Sequence, residues 1–508
     1  MLIHNFLEKA VKLYPRKKAI ICNDLKNSYY DTFQRVKKFA SFLQNKGLKK
    51  GDVISILHFN CHYYYEVYFA SSFCGLILNS INVRLSANEI LYILENSETK
   101  LLITHSRYEN ELNKIKEKLP EVIFTDRDYE KIINSQEINL KEIEFDDTHI
   151  AHLYYTSGTT GKPKGVMLTH KNVCVHSICA IAEFCIKDED NWLHAAPMFH
   201  LADAWSTFAF TAQGAYHTFL NDFEVEKVFE LIEKEKVTIS NMVPTMLNLL
   251  VNSEKISNYD LSSLRVILSG GAPIAPELVK KIMDKFGCDY IQTYGMTETS
   301  PYLTVSILKE HLKKLPPERQ FKYKARTGRE FLGVKLRVVN ENGEDIKPDD
   351  KEVGEIIVKG DIVTPGYWKN EEETKKAIKN GWLYTGDMAT IDEEGYVNIV
   401  DRKKDIIITG GENVYSTEVE NVIYEHPAVL EVAVIGVPDE KWGEAVKAIV
   451  VLKEGMTATE QEIIDFVKSK IARYKAPKSV DFVKELPKTG SGKIQKSKLR
   501  EIYWKKNR

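Results

Sequence analysis

From residue 101 to about residue 300, short apolar runs alternate with segments of helical periodicity. That alternation constrains the fold more than any other feature. Each apolar run reads as a strand and each periodic segment as a crossover, which gives doubly wound parallel sheets in an α/β chain. Residues 31–46 place Phe33, Val36, Phe39, Ala40 and Leu43 on one helical face, and Gly47 and Gly51 bracket the end. Residues 53–58 and 101–104 read as strands. Between them, Ser86-Ala87-Asn88-Glu89 is a capping box in front of Ile90, Leu91, Ile93 and Leu94. At 508 residues the chain exceeds what one core holds, so two or more domains are expected.

Residues 308–329 are charged, contain Pro316-Pro317 and read as an excursion from the core. Residues 333–400 change character. Short strands at 334–340, 354–358 and 396–400, with turn signals Asn342-Gly343 and Glu394-Gly395, predict a β-rich subdomain. The charge run Asp401-Arg402-Lys403-Lys404-Asp405 ends it. The remainder reads as a small α+β unit. Residues 429–437 and 445–452 pair as strands, and residues 460–472 form a helix with Ile463, Ile464, Val467 and Ile471 inward.

The formal net charge of −2 implies no general attraction to nucleic acid or membrane. Eight Lys/Arg against the single acid Glu501 from residue 488 to residue 508 read as a solvated basic tail. The seven cysteines, with no C-x-x-C pair, predict free thiols in a reducing compartment and no zinc site. Glu8 and Lys9 interrupt the apolar residues of the N-terminus, which argues against a signal peptide. No apolar run reaches membrane-spanning length, so no transmembrane segment is expected. The resulting expectation is a cytoplasmic protein.

Five stretches carry chemistry. Tyr154-Tyr155-Thr156-Ser157-Gly158-Thr159-Thr160-Gly161-Lys162-Pro163-Lys164-Gly165 follows a short buried strand and precedes a new element that Thr169 caps. Its backbone N–H groups, hydroxyls and lysines suit phosphate oxygens. It is not a P-loop, because two residues, not four, separate Gly158 from Gly161-Lys162. Ser269-Gly270-Gly271-Ala272-Pro273 lets a flat ring lie against backbone. Gln292-Thr293-Tyr294-Gly295-Met296-Thr297-Glu298 offers an aromatic face, a hydroxyl and a carboxylate at a strand end. Tyr384-Thr385-Gly386-Asp387 reads as a carboxylate after a turn, and Pro487-Lys488-Thr489-Gly490-Ser491-Gly492-Lys493 as a lysine on a glycine loop.

In this order the five stretches resemble the adenylate-forming superfamily of acyl-CoA synthetases, nonribosomal adenylation domains and firefly luciferases. The resemblance covers essentially the whole chain and implies ATP, Mg²⁺ and CoA as cofactors and substrates. It implies that Thr156, Ser157, Gly158, Thr159 and Lys164 hold the β- and γ-phosphates, and that Gly270, Gly271, Ala272 and Tyr294 line the adenine. Thr297 would contact the α-phosphate, Glu298 would bind Mg²⁺, and Asp387 and Arg402 would hold the ribose. Lys493 would be the catalytic lysine and Gly410-Gly411 would line a pantetheine tunnel. The implied domains are a large N-terminal domain over 1–401, a hinge at 402–404 centred on Lys404, and a small mobile C-terminal domain over 405–508. A homodimer stays open.

Pro197-Met198-Phe199-His200 matches the segment beside the family's acyl pocket, with His200 as its gate. Trp205, Phe208, Phe210 and Val243 read either as walls of an apolar channel or as core; Asp203, if it faced that channel, would repel anions. The function this resemblance and the apolar segment imply is an ATP-dependent ligase that joins a medium- or long-chain fatty acid to CoA. The alternatives are an aryl, cinnamate-like acid–CoA ligase and a stand-alone enzyme that loads a carrier protein. A non-catalytic nucleotide-binding relative and a luciferase complete the set.

Overall fold

The computed structural model describes residues 1–156, 163–488 and 494–506. They fall into two compact units. The first comprises Met1–Leu336 with Val358–Leu383, and the second Arg337–Ile357 with Tyr384–Arg508.

In the first unit β1 (Lys18–Cys22) and β2 (Leu25–Ser28) form a hairpin. β3 (Val53–Leu57), β4 (Ile77–Ser80), β5 (Leu101–Thr104) and β6 (Glu121–Phe124) follow, then the hairpin β7 (Ile150–Thr156) and β8 (Lys164–Thr169). After them come β9 (Asn191–His194), β10 (Tyr216–Phe219), β11 (Ile239–Asn241), β12 (Val266–Gly270), β13 (Asp289–Gly295), β14 (Tyr302–Val305) and β15 (Arg329–Glu330). Two sheets result, with orders β6-β5-β3-β4-β7-β8 and β15-β14-β13-β12-β11-β9-β10-β1-β2. Their interiors are parallel, and antiparallel pairs occur only at the edges. This is the doubly wound α/β architecture that the alternation of runs predicts. β3 (Val-Ile-Ser-Ile-Leu) is buried along its whole length, as a strand covered on both faces has to be. One continuous core joins the two sheets: Ile20 of one and Ile54 of the other pack in it with Tyr68 and Phe208 from the helices His62–Phe73 and Leu201–Gln213.

Local chemistry sets the helix ends. Ser28 and Asp31 form a reciprocal capping box on the helix Tyr29–Asn45, as do Thr169 and Asn172 on His170–Phe184. The expected box of Ser86 and Glu89 starts Ala87–Ser97. The element after the glycine-rich loop proves to be two, with β8 passing directly into the helix that Thr169 caps.

Residues 308–329 differ from the expected excursion. They contain the helix Pro317–Ala325, whose Phe321 and Ala325 pack against the core cluster of Val279, Ile282 and Phe286. The buried Lys324 adds an ion pair with Asp289 and a bond to the Tyr290 carbonyl at 3.2 Å, so a lysine-rich stretch docks where the sequence reads as an excursion.

In the second unit Val429–Asp439 pairs antiparallel with Gly443–Leu452, and Ser479–Phe482 adds in parallel. Alternation divides the strand faces. Val432 and Val434 pack with Val419, Ile463 and Val467, whereas Ala433 and Ile435 pack with Leu499. The basic C-terminal residues are not a solvated tail up to residue 506. They form the helix Lys496–Lys506, with Lys496 paired to Glu420 at 2.8 Å and Arg500 to Asp405 at 2.7 Å.

All seven cysteines are free. Among the described residues no helix is long and apolar enough to cross a membrane.

Candidate active site

The glycine- and hydroxyl-rich stretch rides on the β7–β8 hairpin, whose last pair is Thr156 opposite Lys164. The backbone therefore sets a hydroxyl and an ammonium side by side at the loop's base. Ser157, Gly158 and Thr159 lie outside the described residues. Lys164 is ion-paired with Glu373, and its ammonium stands 5.4 Å from the centre of the Tyr367 ring. The Tyr367 hydroxyl donates to Glu298 Oε1 at 2.9 Å, and the Thr364 N–H donates to the Glu298 carbonyl at 2.8 Å. Glu298 is buried. Burial, reinforced by Glu298, pushes the Tyr367 hydroxyl far above its ordinary range, so it remains a proton donor to that carboxylate. The segment 364–373 thus joins the lysine of the loop to the carboxylate assigned to the metal.

At the C-terminal ends of the parallel strands β12 and β13, Gly270 pairs with Thr293. A Cβ at Gly270 would stand 2.7 Å from the Thr293 carbonyl oxygen, so only glycine fits this approach. Gln292 Nε2 donates to the Ala272 carbonyl at 2.9 Å and ties the exposed Gly271-Ala272 to β13. Tyr294, half-buried, is two residues further along that strand, and Thr297 opens the short turn Thr297–Thr299 that presents Glu298. These positions lie where open α/β sheets bind ligands.

His200 occupies the N-cap position of the helix Leu201–Gln213, its ring 4.6 Å from that of Phe199. The loop before it is clamped by Asn60. The Asn60 amide donates to the carbonyls of His194 and Ala196 at 2.9 and 2.8 Å, and its oxygen accepts from the Met198 N–H at 2.8 Å. All three bonds are buried. Asn60→Ala is expected to cost about 2–3 kcal/mol of stability, since buried backbone groups lose their partner. Urea unfolding reads this, and a change below about 0.5 kcal/mol would mean that other contacts hold the loop.

Asp203 does not face a channel. It is fully buried, with Oδ2 on His194 Nδ1 at 2.5 Å and Oδ1 on Trp192 Nε1 at 3.1 Å. Trp205, Phe208 and Phe210 are also core. Trp205 packs on Trp192 at 5.2 Å, Phe208 on Tyr68 at 5.3 Å and Phe210 on Trp192 at 5.1 Å between ring centres.

In the second unit Asp387 lies within the strand Trp382–Ile391, not after a turn. In/out alternation continues through Gly386, so the glycine does not break the strand. Asp387 faces Arg402 across the ladder, and Arg402 Nε meets Asp387 Oδ1 at 2.5 Å. Asp387 is buried whereas Arg402 is exposed. Lys404 lies in the short turn Lys403–Asp405. Gly410 and Gly411 make the two-residue turn between Ile407–Thr409 and Glu412–Val414, with φ of +61° and +85°. Two successive positive φ values are what a type I′ hairpin turn demands. Lys493 lies outside the described residues.

The donor set fits Mg²⁺. Glu298 supplies a buried, oriented oxygen, and the Thr297 hydroxyl is next to it in the chain. No group of three or more His, Cys, Asp or Glu forms a metal cluster among the described residues. One carboxylate with substrate phosphates is the usual way Mg²⁺ is held in nucleotide sites.

The AMP-binding enzyme model matches residues 7–368, and the AMP-binding enzyme C-terminal domain model matches residues 418–493. The chain belongs to the AMP-binding enzyme family. A 4-hydroxybutyrate–CoA ligase of Metallosphaera sedula is 34% identical over 97% of this chain and 93% of its own length. A peroxisomal trans-cinnamate:CoA ligase of Petunia hybrida is 33% identical over 98% of this chain and 93% of its own. The solved o-succinylbenzoate coenzyme A synthetase of Bacillus subtilis, in complex with ATP and magnesium ion, superposes with a TM-score of 0.85 at 31% identity. That match covers 98% of this chain and 99% of the other. As an AMP-binding enzyme of this kind, the protein is an AMP-forming acid–thiol ligase.

Sequence reasoning did not single out Tyr367, Glu373 or Asn60. The only hint was Gly366-Tyr367-Trp368 before a glutamate run, and nothing in its spacing points to residues 164 or 298.

Proposed function

We propose that this ligase activates a compact aromatic carboxylic acid of the cinnamate or benzoate type and transfers it to CoA. The observation that carries this reading is the packing of Trp205, Phe208 and Phe210 into the core. Those rings, with Val243, are the candidate walls of a hydrocarbon channel, and the three rings are spent instead on packing against Trp192 and Tyr68. Ala202, on the first turn after His200, is exposed and small. The Petunia relative is named for cinnamate, and the Metallosphaera one for a short acid.

The residues divide the work as follows. Lys164 and the loop hydroxyls hold the β- and γ-phosphates, Tyr294 and Gly270 to Ala272 hold the adenine, and Asp387 with Arg402 holds the ribose. His200 closes the acid site. Glu298, steadied by Tyr367, would hold Mg²⁺, which supplies charge neutralisation for the phosphates. The acid's carboxylate oxygen attacks the α-phosphorus while the bond to pyrophosphate breaks, and Lys493 offsets the charge that builds there. The CoA thiolate then attacks the acyl carbon and AMP leaves. Rotation about Lys404 exchanges Lys493 for the Gly410-Gly411 turn between the two steps.

The test is CoA-dependent AMP release over saturated acids from acetate to palmitate, with benzoate and cinnamate alongside. kcat/KM for a ring acid is expected to exceed that for palmitate by about tenfold or more. A steady rise with each methylene up to palmitate would restore the fatty-acid reading. Transfer to a phosphopantetheinyl carrier but not to CoA would favour the carrier-loading alternative.

A further inference from the structure

We propose that Glu373 is the resident counter-ion of Lys164, that a bound polyphosphate displaces it, and that Lys376 takes over the released carboxylate. This rests on the reading of Lys164 as a ligand of the ATP phosphates.

The pair is built in rather than incidental. Lys164 and Glu373 are only 13% and 18% exposed at the side chain. Glu373 sits in the first turn of the helix Glu371–Ala377, where its N–H donates to Asn370 Oδ1 at 3.1 Å. The preceding segment is bonded along β8. The Met167 N–H donates to the Gly366 carbonyl at 3.1 Å, and the Trp368 N–H to the Gly165 carbonyl at 2.7 Å. Glu373 is therefore held against the base of the glycine-rich loop and does not wander over the surface. Hydrogen bonds from Lys164 first, and from Lys376 second, hold its carboxyl below the ordinary range.

An ammonium capped by a carboxylate presents little net charge to an incoming anion. For Lys164 to meet a phosphate with its full charge, the pair has to open. Opening would strand a partly desolvated carboxylate, which is costly. Here the second oxygen already has a partner: Lys376 Nζ lies 3.0 Å from Glu373 Oε1 while Lys164 sits on Oε2. Lys376 is 61% exposed and is shared with Glu372, whose Oε1 lies 2.6 Å from the same ammonium. Glu373 can thus change partner without becoming unpaired. Such an exchange sets a threshold. Pyrophosphate and ATP carry enough charge to displace the carboxylate, whereas AMP lacks the β- and γ-phosphates that would reach Lys164. The strap that carries Glu373 also carries Tyr367, so the exchange occurs on the element that steadies Glu298.

Calorimetric titration of the full chain with ATP, pyrophosphate and AMP tests this, with urea midpoints for each variant. Glu373→Gln is expected to tighten ATP and pyrophosphate by about three- to tenfold and leave AMP unchanged. KM for ATP should fall while KM for the acid does not. Lys376→Met is expected to weaken both polyphosphates by about two- to threefold, and to have no effect in the Glu373→Gln background. Unchanged or weaker polyphosphate binding by Glu373→Gln at an unchanged urea midpoint overturns the proposal. So does a Lys376→Met effect that persists without the Glu373 charge. If the unsubstituted protein binds neither ATP nor pyrophosphate, the ATP reading of Lys164 falls, and the proposal with it.

Discussion

Replacing Lys493 by alanine is expected to lower acyl-adenylate formation by about 10²–10³-fold, the scale of losing one preorganised charge donor. The motive is the sequence Gly490-Ser491-Gly492-Lys493, in which the resemblance to adenylate-forming enzymes implies the catalytic lysine. In the adenylation step a carboxylate approaches an anionic phosphate, and negative charge accumulates where the ammonium would stand. The second step has no such need, because the acyl carbon is already activated and the thiolate attacks a neutral carbonyl. Thioester formation from supplied acyl-adenylate and CoA should therefore survive in Lys493→Ala. The two half-reactions can be measured separately, by pyrophosphate release without CoA and by AMP release from synthetic acyl-adenylate. Equal loss in both, in a folded protein, would refute the division of labour between two orientations of the small domain.

Trp205→Ala is expected to destabilise the protein by about 3–5 kcal/mol, the cost of emptying a large buried site. The tryptophan is 2% exposed and surrounded by rings, with Trp192, Tyr302, Phe184 and His176 at 5.2, 5.4, 5.6 and 5.8 Å. Burial pushes His176 down to about 3, so that imidazole is neutral and packs as an aromatic ring. Nothing polar compensates for the volume removed, and the helix Leu201–Gln213 is held through this cluster. Urea unfolding gives the loss directly. A gating tryptophan would behave otherwise: its removal would spare the unfolding midpoint and shift preference toward longer acids. That pattern would return Trp205 to the acyl pocket and reopen the fatty-acid reading.

The candidate site was partly legible because its pieces are local. A glycine-rich loop, a strand-end Tyr-Gly-Met-Thr-Glu and a Gly-Gly turn each carry their chemistry within a few residues. The capping box of Ser86 and Glu89 could be located from side chains three residues apart, and the cap at Thr169 from its place before a new element. The alternation of apolar runs was enough for the sheet class, since parallel strands covered on both faces are rich in apolar residues.

What the sequence by itself determined, then, was the architecture, the order of the motifs and the family's chemistry. Which of the intermediate residues serve the site was decided by tertiary structure alone. Trp205 and Asp203 follow His200 closely, yet one turned to a ring cluster and the other to His194, because a helix distributes consecutive side chains around its axis. Tyr367 and Glu373 lie far along the chain from Glu298 and Lys164 and meet them only because their segment bonds along β8. Asp387 proved to be a strand residue because its ladder partner Arg402 is supplied by another strand. In each case the deciding interaction joins residues whose separation in sequence carries no periodic signal, so only the folded chain brings them together.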